Sequence, residues 1–528
     1  MGRDEVSSRN EAPLVSRSLG PAVSSQHLGT GRELVLVVLC LSVLVTNVDG
    51  TILNVALPSI VADLHATQSQ LQWMVDAYMV VLAGLLLIAG WLGDQLGRKY
   101  VFLGGMAIFA LGSGLSAFAA SSGELITARA FMGVGAAAIL PSTLSILTNV
   151  FVTPRDRARA IGLWSGMNGL GLAIGPLVGG WLLSRFWWGS VFLINVPVAM
   201  VTIAVGALVV PDSKNPSAKR PDVLGATASL VGVALLLWAI IEGPSRGWTS
   251  APIVFGAFGA MAVLGVLVVI ERRTSHPLVE LSFFSSRRFS VAMLGLGLTV
   301  FALSGTMFLL TQYLQFVLGY SALATGLRIT PIALVLVLVA SLSMTLVRVV
   351  GTKVVVALGM GAIALGLGLL SATSADSTYL QDLPAFFLLG IGSGLSVAPC
   401  TDAVMGAVPR ALAGVGSATN STALQIGSAL GVAVIGSLLS ARYQTNMDQV
   451  LRHVSMPAAV ETLAKGSLGG ALALADRLGG TSGLQLATAS RDSFISAMDF
   501  AVEVGALIVA GAIALVLVLL PSRESSRD

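Results

Sequence analysis

Charge is what this sequence has least of. Only 11% of its 528 residues are Asp, Glu, Lys or Arg, against roughly 25% in soluble domains. So few charges cannot cover a water-facing surface of this size, so most of the chain must face lipid. In hydrocarbon every backbone N–H and C=O has to be paired within its own element, which leaves α-helices or closed barrels. The apolar runs are about 20 residues long, rich in Leu, Val, Ala and Gly, and lack period-two alternation. That fits helices about 30 Å long and excludes barrel strands of about 10 residues. Cysteine is nearly absent: Cys40 and Cys400 both sit in apolar runs without ligand-like neighbours, so neither a disulfide framework nor a metal site is expected. The net charge of +4 reflects loop arginines and carries no nucleic-acid signature. There is no H-E-x-x-H, paired Cys/His set or other catalytic constellation, which argues against an enzyme. Glycine pairs such as Gly169-x-Gly171 and Gly366-x-Gly368 lie inside apolar runs with no strand before them, so no nucleotide cofactor is expected.

What is present is a series of apolar segments. A window of about 19 residues predicts spans near 33–57, 70–90, 101–120, 124–148, 160–182, 191–210, 223–242, 252–271, 290–312, 329–347, 353–372, 383–404, 415–440 and 497–520, fourteen in all. With the N-terminus inside, the inner loops collect fifteen Lys and Arg residues, among them Arg98, Lys99, Arg155, Arg157, Arg159, Lys219, Arg220 and Arg410. The short outer loops carry only Arg185, Arg246 and Arg328. By the positive-inside rule both tails are cytoplasmic, which places the chain in a cytoplasmic membrane as a multi-pass protein. Residues 1–32 read as a disordered polar tail before an uncleaved first span, and 521–528 as a second tail. The outer segment 441–496 mixes Asp448, Glu461, Lys465 and Asp476 with small apolar residues and is consistent with amphipathic helices outside the membrane.

Two glycine-rich motifs stand out. After the second span comes Gly90-Trp91-Leu92-Gly93-Asp94-Gln95-Leu96-Gly97-Arg98-Lys99. Its glycines permit a tight turn between packed helices, while Asp94 and Arg98 can bridge neighbouring helices or cap a helix end. The fifth span carries Gly162, Gly171, Gly175, Pro176, Gly179 and Gly180. Small residues let helices approach closely, and Pro176 bends its helix by removing a donor. The first motif resembles the loop signature of the major facilitator superfamily. The second is similar to the antiporter signature of drug exporters in that superfamily, where the bend shapes the central cavity and limits proton leak.

The resemblance extends to the fourteen-span drug:proton antiporters, which include quaternary-ammonium and antibiotic exporters. It is carried by Asp49-Gly50-Thr51-Ile52-Leu53-Asn54-Val55-Ala56-Leu57 with Pro58, by Trp73-Met74-Val75-Asp76-Ala77-Tyr78, by Gln315-x3-Gly319-Tyr320-Ser321, and by Ala413-Gly414-Val415-Gly416-Ser417-Ala418. It covers about residues 33 to 440 and the last span. It implies an all-α integral membrane protein with the major facilitator fold: a six-helix bundle over 33–210, a cytoplasmic linker and two inserted helices over 211–289, and a second six-helix bundle over 290–520. Three departures matter. The family's R-x-x-Q-G reads Arg129-Ala130-Phe131-Met132-Gly133 here, its N-D-T-T-R reads Asn420-Ser421-Thr422-Ala423-Leu424, and its aromatic-basic-aromatic triplet is replaced around Trp188-Gly189-Ser190. The second departure, at Ser421 and Leu424, removes a carboxylate and an arginine and concentrates the expected titrating machinery in the N-terminal half.

An ionisable group at membrane depth costs roughly 3 kcal/mol on insertion scales and needs a partner, water or a function. At 1.5 Å per residue, Asp49, Asp76 and Arg129 all fall about 10 Å below the outer surface. The expected roles are proton coupling for Asp49, contact with a cationic substrate for Asp76, and tuning of one or both acids by Arg129. A purely structural ion network is the competing reading. Trp73, Tyr78, Phe131, Met132, Trp164 and Met167 are candidates to line an adaptable substrate cavity, since thioethers and aromatics repack readily, or to be ordinary core. Asp402 reads as a solvated interface residue, and Asp499 with Glu503 as a like-charged i,i+4 pair. The expected function is export of amphipathic, cationic drugs or toxic compounds in exchange for protons by alternating access, without a cofactor, driven by the proton gradient. An exporter dedicated to one endogenous product, such as an antibiotic or a lipid, shares every motif. The sequence does not specify an oligomer, and a monomer is expected.

Overall fold

The computed structural model describes residues 28–214, 222–274, 280–375, 377–409, 412–452 and 458–520. Most of the expected N-terminal tail, the tail 521–528, and Lys219, Arg220 and Arg410 of the basic-loop count lie outside the described residues. Among the described residues there is no strand, and fourteen helices are long and apolar enough to cross a membrane.

The first half runs through α1 (Leu28–Leu64), α2 (Gln68–Leu96), α3 (Arg98–Ala117), α4 (Ser122–Val150) and α5 (Pro154–Arg185). The sixth span is broken into α6 (Ser190–Leu193) and α7 (Asn195–Val209). The inserted pair is α8 (Val223–Arg246) and α9 (Ala251–Arg273). The second half comprises α10 (Arg287–Gln312), α11 (Ala322–Val350), α12 (Thr352–Leu370), α13 (Tyr379–Gly406) and α14 (Ala413–Leu451), then α15 (Ala458–Gly466), α16 (Leu468–Leu478) and α17 (Gly480–Leu519).

Each expected span falls on one of these helices, except the sixth, which falls on the α6–α7 pair, and most helices overrun the apolar window. The reason is capping. Thr67 accepts from the Gln70 N–H while the Gln70 side chain accepts from the Thr67 N–H, so α2 starts outside its apolar stretch. Thr153 caps α5 by accepting from the Asp156 N–H, with Pro154 in the first turn. Helix α1 already begins at Leu28, inside the segment read as a tail. The α2–α3 connection is Gly97 alone, held at φ +118°, where a side chain would also meet Asp212. The end of the molecule that carries this turn is called the basic end below, and the opposite one, where α15 and α16 lie, the cap end.

Helices α1–α7 pack together, as do α10–α14 with α17, and the two sets meet along two seams. One seam is α5 against α11. It is made of small residues: a Cβ on Gly326 would collide with the Pro176 carbonyl, and one on Gly180 would sit 2.7 Å from the Ala322 carbonyl. The seam loosens towards the basic end, where a Cβ added to Gly162 or Gly166 would have nothing within 4 Å and Leu163 and Leu170 are exposed.

The other seam is α2 against α14, and the inserted helix α8 packs on both. Pro244 lies inside α8 and has no N–H to give the Ile240 carbonyl. Ser437 of α14 supplies the missing donor at 2.8 Å, and Ser69 of α2 donates to the neighbouring Ile241 carbonyl at 3.2 Å. Gln72 joins the seam directly, donating to the carbonyls of Val432 (3.1 Å) and Ala433 (2.9 Å). Thus α8 is hydrogen-bonded to one helix from each bundle.

The cap end is closed by the described part of the segment 441–496, which forms the end of α14, α15, α16 and the start of α17; residues 453–457 lie outside the described residues. Ser467 donates to the Ala66 carbonyl at 3.2 Å, reaching the α1–α2 turn, while Tyr443 of α14 donates to the Ala464 carbonyl at 3.1 Å. Gly469 lies against Val61 of the first bundle and Phe316 of the second. Gln315 adds a further tie by donating to the Val55 carbonyl at 3.0 Å.

Gly326→Ala should overpack the α5–α11 seam and destabilise the protein by about 1–3 kcal/mol, read as a lowered midpoint of thermal unfolding. Gly162→Ala, placed in open space within α5, should leave that midpoint unchanged or raise it slightly through alanine's better helix propensity. Equal midpoints for both variants would contradict the seam geometry.

Candidate functional site: a buried ion pair and an unpaired carboxylate

Asp49, in the middle of α1, forms an ion pair with Arg129 of α4, and both side chains are 0% exposed. Two charges out of water at this depth are tolerable only when paired and hydrogen-bonded, and the surrounding helices supply the bonds. Asn195 donates to the second Asp49 oxygen at 2.9 Å and to Ser113 of α3 at 3.0 Å. Ser113 in turn donates to the Phe192 carbonyl at 2.7 Å. The break between α6 and α7 brings Asn195 to this point, and Pro197, just beyond it, cannot continue the hydrogen-bond ladder of the preceding turn.

The guanidinium is held from other sides as well. Its Nε donates to the Met74 carbonyl at 3.1 Å, and its carbon sits 4.5 Å from the Tyr78 ring centroid, a cation–π distance. One terminal nitrogen, Nη2, has no hydrogen-bond partner, nor has Asn195 Oδ1. The cluster therefore draws on α1, α2, α3, α4 and the broken sixth span, with spare hydrogen-bonding capacity left inside it.

Asp76 stands apart. Of the three charges expected in one layer, Asp49 and Arg129 meet, and Asp76 does not join them. At 100° per residue, Met74 and Tyr78 project to the α4 side of α2, where they meet Arg129. Asp76 lies four residues from both Gln72 and Val80, on the face that meets α14 and α8. Arg129 is thus engaged with Asp49 and does not reach Asp76. The Asp76 side chain is fully buried and neither of its oxygens has a partner. A bare carboxylate in this position is expensive, so it calls for a proton or a cation at the seam between the bundles.

The other expected site residues disperse. Tyr78 and Met132 belong to the ion-pair cluster, Met132 receiving a long contact from Arg129 Nη1 at 3.8 Å and one from the Ser116 hydroxyl at 3.4 Å. Trp73 packs against α8 beside Leu237 and Ile241. Trp164 donates to Thr143 at 3.1 Å, tying α5 to α4. Met167 is half-buried and Phe131 is exposed. In the glycine-rich turn, Arg98 pairs with Asp94 at 2.8 Å and reaches the Ser145 carbonyl at 3.5 Å. Lys99 donates to the Ala207 carbonyl at 2.7 Å, so these bonds stay within the first bundle. Gly90 lies near Pro141 of α4. In the fifth span, Gly171, Gly175 and Gly179 press on Asn47, Thr51 and Ile52 of α1, whereas Gly180 faces α11 and Gly162 faces open space. Asp402 is exposed, as is Glu503, while Asp499 is half-buried with one oxygen unpartnered.

Sequence matches decide what class of protein this architecture belongs to. Residues 39–432 match the Major Facilitator Superfamily. The chain belongs to that superfamily. Among curated relatives, it is 33% identical to the multidrug efflux pump LfrA of Mycolicibacterium smegmatis, over 93% of this chain and 97% of that one. It is 31% identical to the tetracenomycin C resistance and export protein of Streptomyces glaucescens, over 91% of this chain and 89% of that one. It is likewise 31% identical to the methyl viologen resistance protein SmvA of Salmonella typhimurium, over 88% of this chain and 93% of that one. Among solved structures, a bacterial homologue of the human lysosomal transporter Spinster, inward-facing and unoccupied, superposes with a TM-score of 0.64 at 18% identity, covering 94% of this chain and 99% of that chain. This last likeness supports the fold alone. The major facilitator chain is a membrane transporter and not an enzyme.

Asn195, Ser113 and Gln72 are the site residues that a search for charges overlooks. Asn195 carries a signal nonetheless, as a lone amide inside the apolar run Val191–Met200, two residues before a proline.

Removing one partner of a buried pair costs about 3–5 kcal/mol, because the other charge is stranded. Arg129→Gln should therefore lower folding stability by that order, and Asp49→Asn combined with Arg129→Gln should cost less than the sum of the two single changes. Strictly additive losses in chemical unfolding of the purified protein would show that the two side chains act independently.

Proposed function

We propose that this major facilitator protein exports amphipathic compounds, cationic ones among them, in exchange for protons. The observation that carries the reading is the Asp49–Arg129 pair, fully sealed from water and satisfied on its second carboxylate oxygen by Asn195. A proton arriving at Asp49 removes the negative partner of Arg129 and loosens contacts that tie α1 to α4 and the sixth span. That couples proton binding to helix packing, and the coupling works equally in reverse. The charge asymmetry of the loops supports a cytoplasmic basic end, with both termini on that side. The present conformation, tied at the cap end and loosened at the basic end of the α5–α11 seam, then corresponds to a cavity that faces the cytoplasm.

In the proposed cycle, substrate enters from the cytoplasmic side and the bundles rock about a site near the midplane. A proton taken up from outside releases the substrate outward, and its loss to the cytoplasm resets the pair. Asp76 supplies the negative charge for a cationic substrate, since it lies at the seam between bundles with both oxygens free. The energy source is the proton gradient and no cofactor takes part; the working unit is a monomer. Likeness to efflux and resistance proteins for structurally different compounds supports breadth of substrate. A narrow exporter of one endogenous product is the second reading, favoured by the likeness to a tetracenomycin C exporter.

Purified protein in liposomes with an imposed pH gradient tests the mechanism, with ethidium as the cation. Gradient-driven ethidium movement is expected, and it should vanish in Asp49→Asn; movement that ignores the gradient would sink the antiport mechanism. Asp76→Asn should reduce transport of ethidium about tenfold while leaving a neutral substrate within about twofold, as loss of one charge-assisted contact implies. An equal loss for both substrates would remove Asp76 from cation recognition.

A further inference from the structure

In the Gln315-x3-Gly319-Tyr320-Ser321 motif, Gln315 ties the two bundles, and the other members build a turn with a separate consequence. Gly319 stands at φ +69°, in the left-handed region that favours glycine. The chain therefore folds back. The Tyr320 N–H donates to the Leu314 carbonyl at 2.9 Å, and the Ser321 hydroxyl accepts from the Ala324 N–H at 3.2 Å to start α11. This turn brings the Tyr320 ring to Arg328, whose guanidinium carbon lies 3.9 Å from the ring centroid. Tyr379, at the start of α13, covers the same group at 5.3 Å. Its hydroxyl donates to the Arg328 main-chain carbonyl at 3.1 Å, and its ring packs edge-on to Phe386, so it is fixed in place.

Arg328 is held, yet its charge is unanswered. No carboxylate among the described residues pairs with it. Asp382, one turn after Tyr379 on α13, is buried and takes the Tyr313 hydroxyl at 3.3 Å. One terminal nitrogen of Arg328, Nη1, donates to the Ala324 carbonyl at 3.1 Å; Nε is sealed and unpartnered, whereas Nη2 is unpartnered without being sealed. Ring faces contribute about 0.5–2 kcal/mol towards a cation but bring no countercharge. Position decides which countercharge is at hand. Helix α11 has 29 residues, about 44 Å at 1.5 Å each, and overruns a hydrocarbon core of about 30 Å by about 7 Å at each end. Arg328 lies six residues from its cap-end start, about 9 Å along the axis, near the boundary where headgroups meet hydrocarbon. Its neighbour Leu327 is exposed, as are Leu334 and Leu338, which continue the same face of α11 towards the basic end.

We infer that Arg328, Tyr320 and Tyr379 form a seat for the phosphodiester of a phospholipid in the leaflet at the cap end, with an acyl chain along the Leu327, Leu334 and Leu338 face. The lipid phosphate supplies the charge that the protein withholds, through a charge-assisted bond to Nη2. The two rings keep the guanidinium from snorkelling away from it. A free phosphate brings the same charge but no chain to lie along the leucines. A lipid seated here fastens α11 and α13 of the second bundle to the bilayer beside the α5–α11 seam, two residues from Gly326. The inference stands independently of the efflux reading.

The full chain in nanodiscs of a phosphate-free galactolipid provides the test. Two photoreactive probes are compared, a phosphatidylglycerol and a diacylglycerol, each with a diazirine at the top of one acyl chain. Labelled peptides are mapped by mass spectrometry after illumination. The phosphatidylglycerol probe should label the stretches 320–328 and 379–380 about tenfold more than the phosphate-free probe, as one charge-assisted bond implies. Arg328→Gln should erase that preference and Arg328→Lys, which keeps the charge, should retain part of it, while labelling elsewhere on the chain stays unchanged. Equal labelling by the two probes, or a preference that survives Arg328→Gln, would overturn the lipid seat and leave Arg328 as a cation–π brace. Displacement of the lipid label by inorganic phosphate in millimolar excess would also overturn it, assigning the seat to the free anion.

Discussion

A carboxylate and a guanidinium removed from water must find each other, and the first bundle is arranged around that requirement. Asp49 comes from α1 and Arg129 from α4. The pair draws α1 and α4 together, the break in the sixth span turns Asn195 inward, and Ser113 of α3 closes the chain of donors. Each of these groups would be costly alone in hydrocarbon. Together they specify which face of each helix points inward, more sharply than apolar packing could, because lipid tails and leucine side chains offer little to choose between.

The same logic recurs at one proline of the inserted hairpin. Pro244 leaves Ile240 of α8 without its helical donor, and a serine from another helix takes the place. At the α5–α11 seam the opposite device is used. Glycine at 180 and 326 removes side chains altogether, and main chain rests on main chain. One seam is specified by hydrogen bonds and the other by shape.

Much of this architecture is legible in the sequence alone. Span number and order depend on local composition, which hydropathy reads directly, and Asp49 and Arg129 announce themselves as lone charges in apolar runs. Which of the two acids Arg129 partners is not legible there. Counting residues along a span measures depth but not azimuth, and azimuth separates Asp76 from Arg129. The neutral members, Asn195 and Ser113, escape any search restricted to charge. Trp73 faces α8 because of where an inserted hairpin docks, and nothing in the local sequence of α2 records that docking. The helices α15 and α16 are foreshadowed by their amphipathic composition, but their reach across both bundles depends on contacts such as Ser467 with Ala66, hundreds of residues apart in the chain.

The inserted helix α8 makes the two seams unequal in a way that a twelve-helix arrangement would not. With serines from both bundles fastened to adjacent carbonyls of one rod, the α2–α14 side behaves as the spine of a book, and the α5–α11 side as its fore-edge. A given rotation then opens a wider gap at the fore-edge than at the spine. Molecules dissolved in the membrane would meet one doorway rather than two, bordered by glycines that offer no side chain to bar the way.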